Sequence, residues 1–156
     1  DETNVVQPVT DETKKDEQNI TSDVVSYENI YPGLKSGDLV KVEGFPAVYY
    51  LGTDSQRHPF MDENSFKSYY NDFSNVKTIS LEALRAFPLG EARHYKEGSL
   101  VKLKSIPKVY LVTDGNVLRW ITTEEVFNKL GYSFSNVSEI SDAFWFLYKT
   151  GQDITQ

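Results

Sequence analysis

LKSGDLVKVEGFPAVYYL (34–51) and YKEGSLVKLKSIPKVYLV (95–112) are the two stretches whose reading decides the fold. Laid over one another at an offset of 61, without gaps, they align Gly37 with Gly98, Pro46 with Pro107 and Tyr49 with Tyr110. The match continues through Phe66/Phe127, through Phe73-Ser74-Asn75-Val76 over Phe134-Ser135-Asn136-Val137, and through Ile79-Ser80 over Ile140-Ser141 to Gly90/Gly151. Seventeen of the sixty positions from 34 to 93 are identical to their counterparts, where chance gives about three or four at average residue usage. The chain therefore reads as two tandem units, 31–94 and 95–156, each one supersecondary unit.

The shared residues predict what each unit builds. Gly37 and Gly98 precede alternating Leu-Val-Lys-Val and Leu-Val-Lys-Leu, the pattern of a strand after a turn. Pro46 and Pro107 introduce runs rich in Val, Tyr and Leu, which are strand formers. Thr113-Asp114-Gly115-Asn116 supplies a turn, and Val117–Ile121 returns as a third strand, with Gln56–Phe60 in the same place one unit earlier. Asp62 caps a helix over 63–70, and Thr122-x-x-Glu125 has the capping-box pattern with Gly131 as the stop. After the Phe-Ser-Asn-Val loop, Ser80 and Ser141 cap second helices over 81–87 and 142–149. The expected class is α+β, with two tandem β-β-β-α-α repeat units of about 61 residues. A unit of that size is marginal alone, so the two are expected to share a core or stack.

Charge divides the chain differently. Of 23 acids and 16 bases, residues 1–30 hold eight acids and two lysines, net −6, and residues 31–156 are net −1. The stretch 1–30 is expected to be a flexible acidic arm. Its apolar island Asn4–Thr10 would form an extended intersubunit strand, with Val5, Gln7 and Val9 on one face and Val6 on the other. Pro8 would confine that strand to an edge. The chain starts at Asp1 without Met, as after removal of a signal peptide or at a boundary chosen for expression.

Composition excludes several function classes. An acidic chain with pI about 4.8 disfavours nucleic acid as a partner, because no basic surplus replaces phosphate counterions. No apolar run is long enough for a membrane span. The absence of cysteine removes disulfides, thiol nucleophiles and Cys-ligated metals. His58 and His94 have no second ligand at a useful spacing. Asp62-Glu63-Asn64 offers calcium ligands in principle, but acids at a helix start are accounted for by the dipole. We therefore expect no catalytic residue, no cofactor and no resident metal.

Aromatic residues make up 13% of the chain. Those shared by both units, Tyr49/Tyr110, Phe66/Phe127 and Phe73/Phe134, are assigned to the core, and Asn75/Asn136 to loop hydrogen bonds. Tyr70, Trp120 and Trp145 do not recur, and these are the residues expected to contact a glycan or a protein partner. Asn19-Ile20-Thr21 and Asn136-Val137-Ser138 are glycosylation sequons, placing Asn19 and Asn136 as candidate modification sites.

At Tyr-x-x-Gly-x-Leu-Val-Lys, Pro-x-Val-Tyr and Leu118-Arg119-Trp120-Ile121, closing on Ser141-Asp142-Ala143-Phe144 with Tyr148, Gly151 and Ile154, the second unit resembles a known module. It is similar to uncharacterised tandem modules of exported, surface-associated proteins of uncultured bacteria and some archaea. The resemblance covers about 34–155, and the first unit departs from it at Arg57-His58-Pro59-Phe60. It implies an extracellular or cell-surface location and tandem architecture, and carries over no catalytic residue. The expectation from sequence is a non-enzymatic structural or adhesive module, self-associating through its repeats or its arm into a surface assembly or fibre. The alternative is a glycan- or cell-wall-binding module.

Overall fold

The computed structural model describes residues 24–156. It is a mixed α+β fold with two sheets and a few short helices. The first half contains β1 (Leu39–Val42), β2 (Tyr49–Leu51), β3 (Arg57–Pro59), α1 (Glu63–Lys67), β4 (Val76–Ile79) and α2 (Leu81–Arg85). The second contains β5 (Leu100–Leu103), β6 (Val109–Thr113), β7 (Val117–Trp120), α3 (Glu124–Lys129), β8 (Val137–Ile140) and β9 (Lys149–Thr150). Two 3-10 turns, Phe134–Asn136 and Asp142–Leu147, flank β8. The strand orders are β3-β2-β1-β4 and β8-β5-β6-β7-β9.

Local chemistry explains how the strands start. Gly37 and Gly98 sit at φ +90° and +86°, a backbone that side chains with a Cβ avoid. Their amides close onto Leu51 and Val112 carbonyls at 2.7 and 2.8 Å, which sets β1 against β2 and β5 against β6. The capping expectations hold at Asp62, whose carboxylate accepts from Ser65 N at 2.7 Å, and at Ser80, which accepts from Ala83 N at 3.1 Å. Gly131 ends α3 at φ +78°. The bonds Gly131 N to Asn128 O and Tyr132 N to Phe127 O complete the left-handed stop.

Four expectations are corrected. The order β-β-β-α-α lacks a strand in each half: β4 and β8 follow the first helix and run parallel to β1 and β5, with Leu39 opposite Val76 and Leu100 opposite Val137. Only Ile79 and Ile140 of these four-residue strands are fully buried, so alternation was too short to reveal them. The helix expected over 142–149 is a 3-10 helix, Asp142–Leu147, because Tyr148 turns extended and the chain passes into β9. The cap of α3 is Thr123, accepting from Val126 N at 3.1 Å, whereas the hydroxyl of Thr122 donates to Ile154 O instead. Residues 24–30, expected as the end of the arm, are anchored through Tyr27, which is 3% exposed and donates its hydroxyl to the Gly52 carbonyl, with Val25 and Ile30 partly buried against the same core.

Tyr27, Leu34, Val40, Val42, Leu51, Ile79, Leu84 and Phe87 form one core, and Tyr95, Val101, Leu103, Val112, Leu118, Ile140 and Tyr148 another. Each such side chain contributes about 1.5–3 kcal/mol by leaving water. A third cluster, Leu100, Val109, Ile121, Val126 and Phe127, lies under α3. The halves touch through polar bonds. Tyr95 Oη donates to both Asp62 oxygens at 2.9 Å, Lys96 N donates to Ser68 Oγ at 3.0 Å, and Tyr148 packs against Met61. Residues 95 and 96 thus fasten both ends of α1.

The segment joining the halves is clamped by an arginine. Arg93 lies 3.9 Å from the Tyr50 ring centre and 4.3 Å from that of Tyr69, between the two rings. Among the described residues it makes no carboxylate ion pair, so the rings hold the cation. Replacing Arg93 by alanine is expected to cost about 1–2 kcal/mol, read as a lowered thermal midpoint. An unchanged midpoint would mean the rings do not hold it.

Candidate functional site

Two surface grooves form where β2 and β3, or β6 and β7, meet the helix that follows. The first is lined by residues between Pro46 and Phe73, the second by residues between Pro107 and Phe134. Every lining residue of the first has its counterpart 61 positions later in the second. Five are the same residue: Pro46/Pro107, Val48/Val109, Glu63/Glu124, Phe66/Phe127 and Phe73/Phe134. The volumes, about 400 and 340 Å³, lie at the small end of the range for small-molecule sites.

Paired phenylalanines build each wall. Phe66 and Phe127 are 2% exposed and hold their helices to the sheets. Phe73 stacks on Phe66 at 4.4 Å with the rings 6° apart, and Phe134 stacks on Phe127 at 4.3 Å and 19°. The outer rings stay open to solvent, Phe73 44% and Phe134 54% exposed. This corrects their assignment to the core. Sequence recurrence marked the positions but did not distinguish a repeated interior from a repeated surface.

The rims differ. In the second groove Trp120 is partly buried, and Lys108 Nζ lies 3.9 Å from its ring centre. Thr122, Thr123 and Glu124 complete that rim. In the first groove Pro59 and Ala47 replace Trp120 and Lys108. Asp62 is occupied by Ser65 N and Tyr95 Oη, and Glu63 pairs with Lys67 at 2.6 Å. The first rim is therefore the more apolar and the more internally satisfied of the two.

Of the residues singled out for contact, only Trp120 lies in a groove. Tyr70 packs behind the first one, 5.1 Å from Phe66 and 6.2 Å from Phe60, and burial raises its hydroxyl pKa. Trp145 stands edge-on to Tyr110 at 5.2 Å and packs on the second core. The three are not brought together. Asn136 is exposed, and among the described residues neither Asn75 nor Asn136 makes the side-chain hydrogen bond expected of it. Asn19, Val5, Val6, Gln7 and Val9 lie outside the described residues.

Both histidines are engaged within the fold. His58 bonds Asp54 at 2.9 Å and the Glu91 carbonyl at 2.8 Å, and His94 reaches the Leu147 carbonyl at 3.0 Å. Among the described residues no cluster of three or more acidic or histidine side chains is placed to hold a metal ion. No helix among them is long and apolar enough to cross a membrane.

No protein-family model, curated protein or solved structure matches this chain. The reading of the grooves rests on their own geometry.

Proposed function

We propose that the protein is a non-enzymatic adhesive module of an exported surface assembly, built as two tandem copies of one unit, each holding ligand in its own groove. The observation that carries this is the doubled groove, whose outer phenylalanine is exposed in both halves. An exposed ring stacked on a buried one gives up contact with water only when something covers it, so the wall is arranged for a partner. Two like grooves on one chain gain through avidity when the ligand is itself a repeating polymer. The surface location rests on the resemblance of the second unit to exported modules.

A cell-wall glycan is the ligand favoured by the second rim. Trp120 supplies a flat apolar face, and Thr122, Thr123, Glu124 and Lys108 supply hydrogen-bonding groups around it. Sugars combine apolar ring faces with hydroxyls and suit that mixture. Retention on immobilised wall polysaccharides tests the reading. Wild-type protein is expected to be retained. Phe134→Ala is expected to weaken binding about tenfold, and Phe73→Ala with Phe134→Ala about a hundredfold or more. Wild-type protein that passes every polysaccharide unretained would sink the glycan assignment.

A further inference from the structure

A third pocket, of about 240 Å³, lies between the β1–β2 turn and α2 and shares Pro46 and Ala47 with the first groove. Its walls are apolar at Val42, Phe45, Leu81 and Leu84, with Tyr49 beside them. Phe45 and Leu81 are 57% and 38% exposed. The charged residues lining the pocket are Arg57 and Arg85.

Arg57 is only half engaged by the fold. Its Nη1 donates to the Leu84 and Phe87 carbonyls at 2.8 and 2.7 Å, closing the end of α2. Nε is buried without an acceptor, and among the described residues Nη2 makes no hydrogen bond. Together these nitrogens form the edge of the guanidinium that matches a carboxylate. A buried donor without a partner is uncommon in a folded protein and marks a place where a ligand or ion belongs. Among the described residues neither Arg57 nor Arg85 is ion-paired. Glu43 and Glu82, which flank the lining residues in sequence, pair with neither. Two cations therefore border an apolar pocket without a counter-charge.

The second half shows what such a space holds. Sixty-one residues later Tyr49 is replaced by Tyr110, Arg57 by Leu118 and Leu84 by Trp145. Leu118 is 1% exposed, and Trp145 stands edge-on to Tyr110 at 5.2 Å and packs on the second core. There an aromatic ring of the chain itself lies against the tyrosine, and the cation is gone. In the first half the smaller Leu84 leaves that room open, and the cation stays.

We propose that this pocket binds a small aromatic carboxylic acid. The ring lies against Tyr49 and Leu84, as Trp145 lies against Tyr110, and the carboxylate accepts from Arg57 Nη2. The negative charge then also sits beside the unpartnered Nε, and Arg85 adds attraction from the exposed side of α2. An apolar cavity of about 150 Å³ already takes benzene, so this one holds a phenyl ring with a short acid stem. The site is separate from the two grooves and does not depend on their ligand.

Titration of the full chain with phenylacetate and with phenylacetamide, of like shape without the charge, tests this. The acid is expected to bind at least about tenfold more tightly, the difference made by a hydrogen bond to a charged partner, and to raise the thermal midpoint as it saturates. Acetyl-alanyl-phenylalanine with a free carboxylate presents the same chemistry at a chain end, and the tighter of the two acids names the source. Leu84→Trp, which copies the second half into the first, is expected to fill the pocket and abolish binding. Arg85→Gln, at an exposed position, leaves the pocket open and is expected to weaken the acid about threefold, more so at low salt. Binding of neither acid, or equal binding of acid and amide, overturns the proposal. So does acid binding that persists in folded Leu84→Trp, or that is unchanged in Arg85→Gln at low salt.

Discussion

Phe127→Ala is expected to destabilise the protein by about 3–5 kcal/mol. Its ring is 2% exposed and fills the space between α3, β5 and β6 together with Leu100, Val109, Ile121 and Val126. Truncation removes the transfer energy of the ring, leaves a cavity, and strands Phe134 without the surface it stacks on. Phe66→Ala is expected to behave alike in the first half. The outer partners provide the contrast. Phe134→Ala leaves no buried void and is expected to cost only about 0.5–1.5 kcal/mol, the value of an aromatic pair. Urea unfolding of the three single variants measures this. Outer and inner substitutions of equal cost would show that the stacked pairs are ordinary core and that the grooves do not exist as described.

The second large effect is a loss of stability in alkali. Burial raises the Tyr148 hydroxyl to about 12, with the Asp62 carboxylate adding to the shift. Burial and then Asp62 raise that of Tyr95 further still. An unfolded tyrosine ionises near 10. Between these values the unfolded chain releases protons that the folded one keeps, so stability is whole below pH 10 and falls as pH rises. The slope is about 1.4 kcal/mol per pH unit for each tyrosine. Tyr148→Phe is expected to start lower, because Tyr95 N loses its acceptor at 3.0 Å, and to decline less steeply. Tyr95→Phe also flattens the profile, because it removes the second hydroxyl that stays protonated in the fold while its unfolded counterpart ionises. An unchanged slope in both variants would place the alkaline transition elsewhere.

Much of this architecture was legible residue by residue. Gly37 and Gly98 announced the strand starts because their φ angles admit little else, and Asp62 and Ser80 announced helices because their side chains satisfy the first free amides. What stayed hidden was decided by contacts distant in sequence. β4 and β8 are strands because β1 and β5 lie beside them some 37 residues earlier in register, and four residues show too little alternation to betray that. The cap of α3 moved from Thr122 to Thr123 because Ile154, thirty-two residues on, claimed the Thr122 hydroxyl. The second-groove site was half visible: Trp120 stood out by failing to recur, whereas Phe134 was passed over because it did recur.

The segment between the halves has a mechanical meaning. It runs parallel to β3, held by Arg57 N to the Pro88 carbonyl, Gly90 N to the Arg57 carbonyl and Arg93 N to the Pro59 carbonyl at 2.7–2.9 Å. Tension along such a parallel pair slides one strand past the other, so these bonds share the load instead of parting one by one as in a hairpin pulled open. The guanidinium of Arg93, gripped between two tyrosine rings, sits at the end of this row and resists the same sliding. A module anchored at one end and pulled at the other would extend at this joint only after that row had sheared.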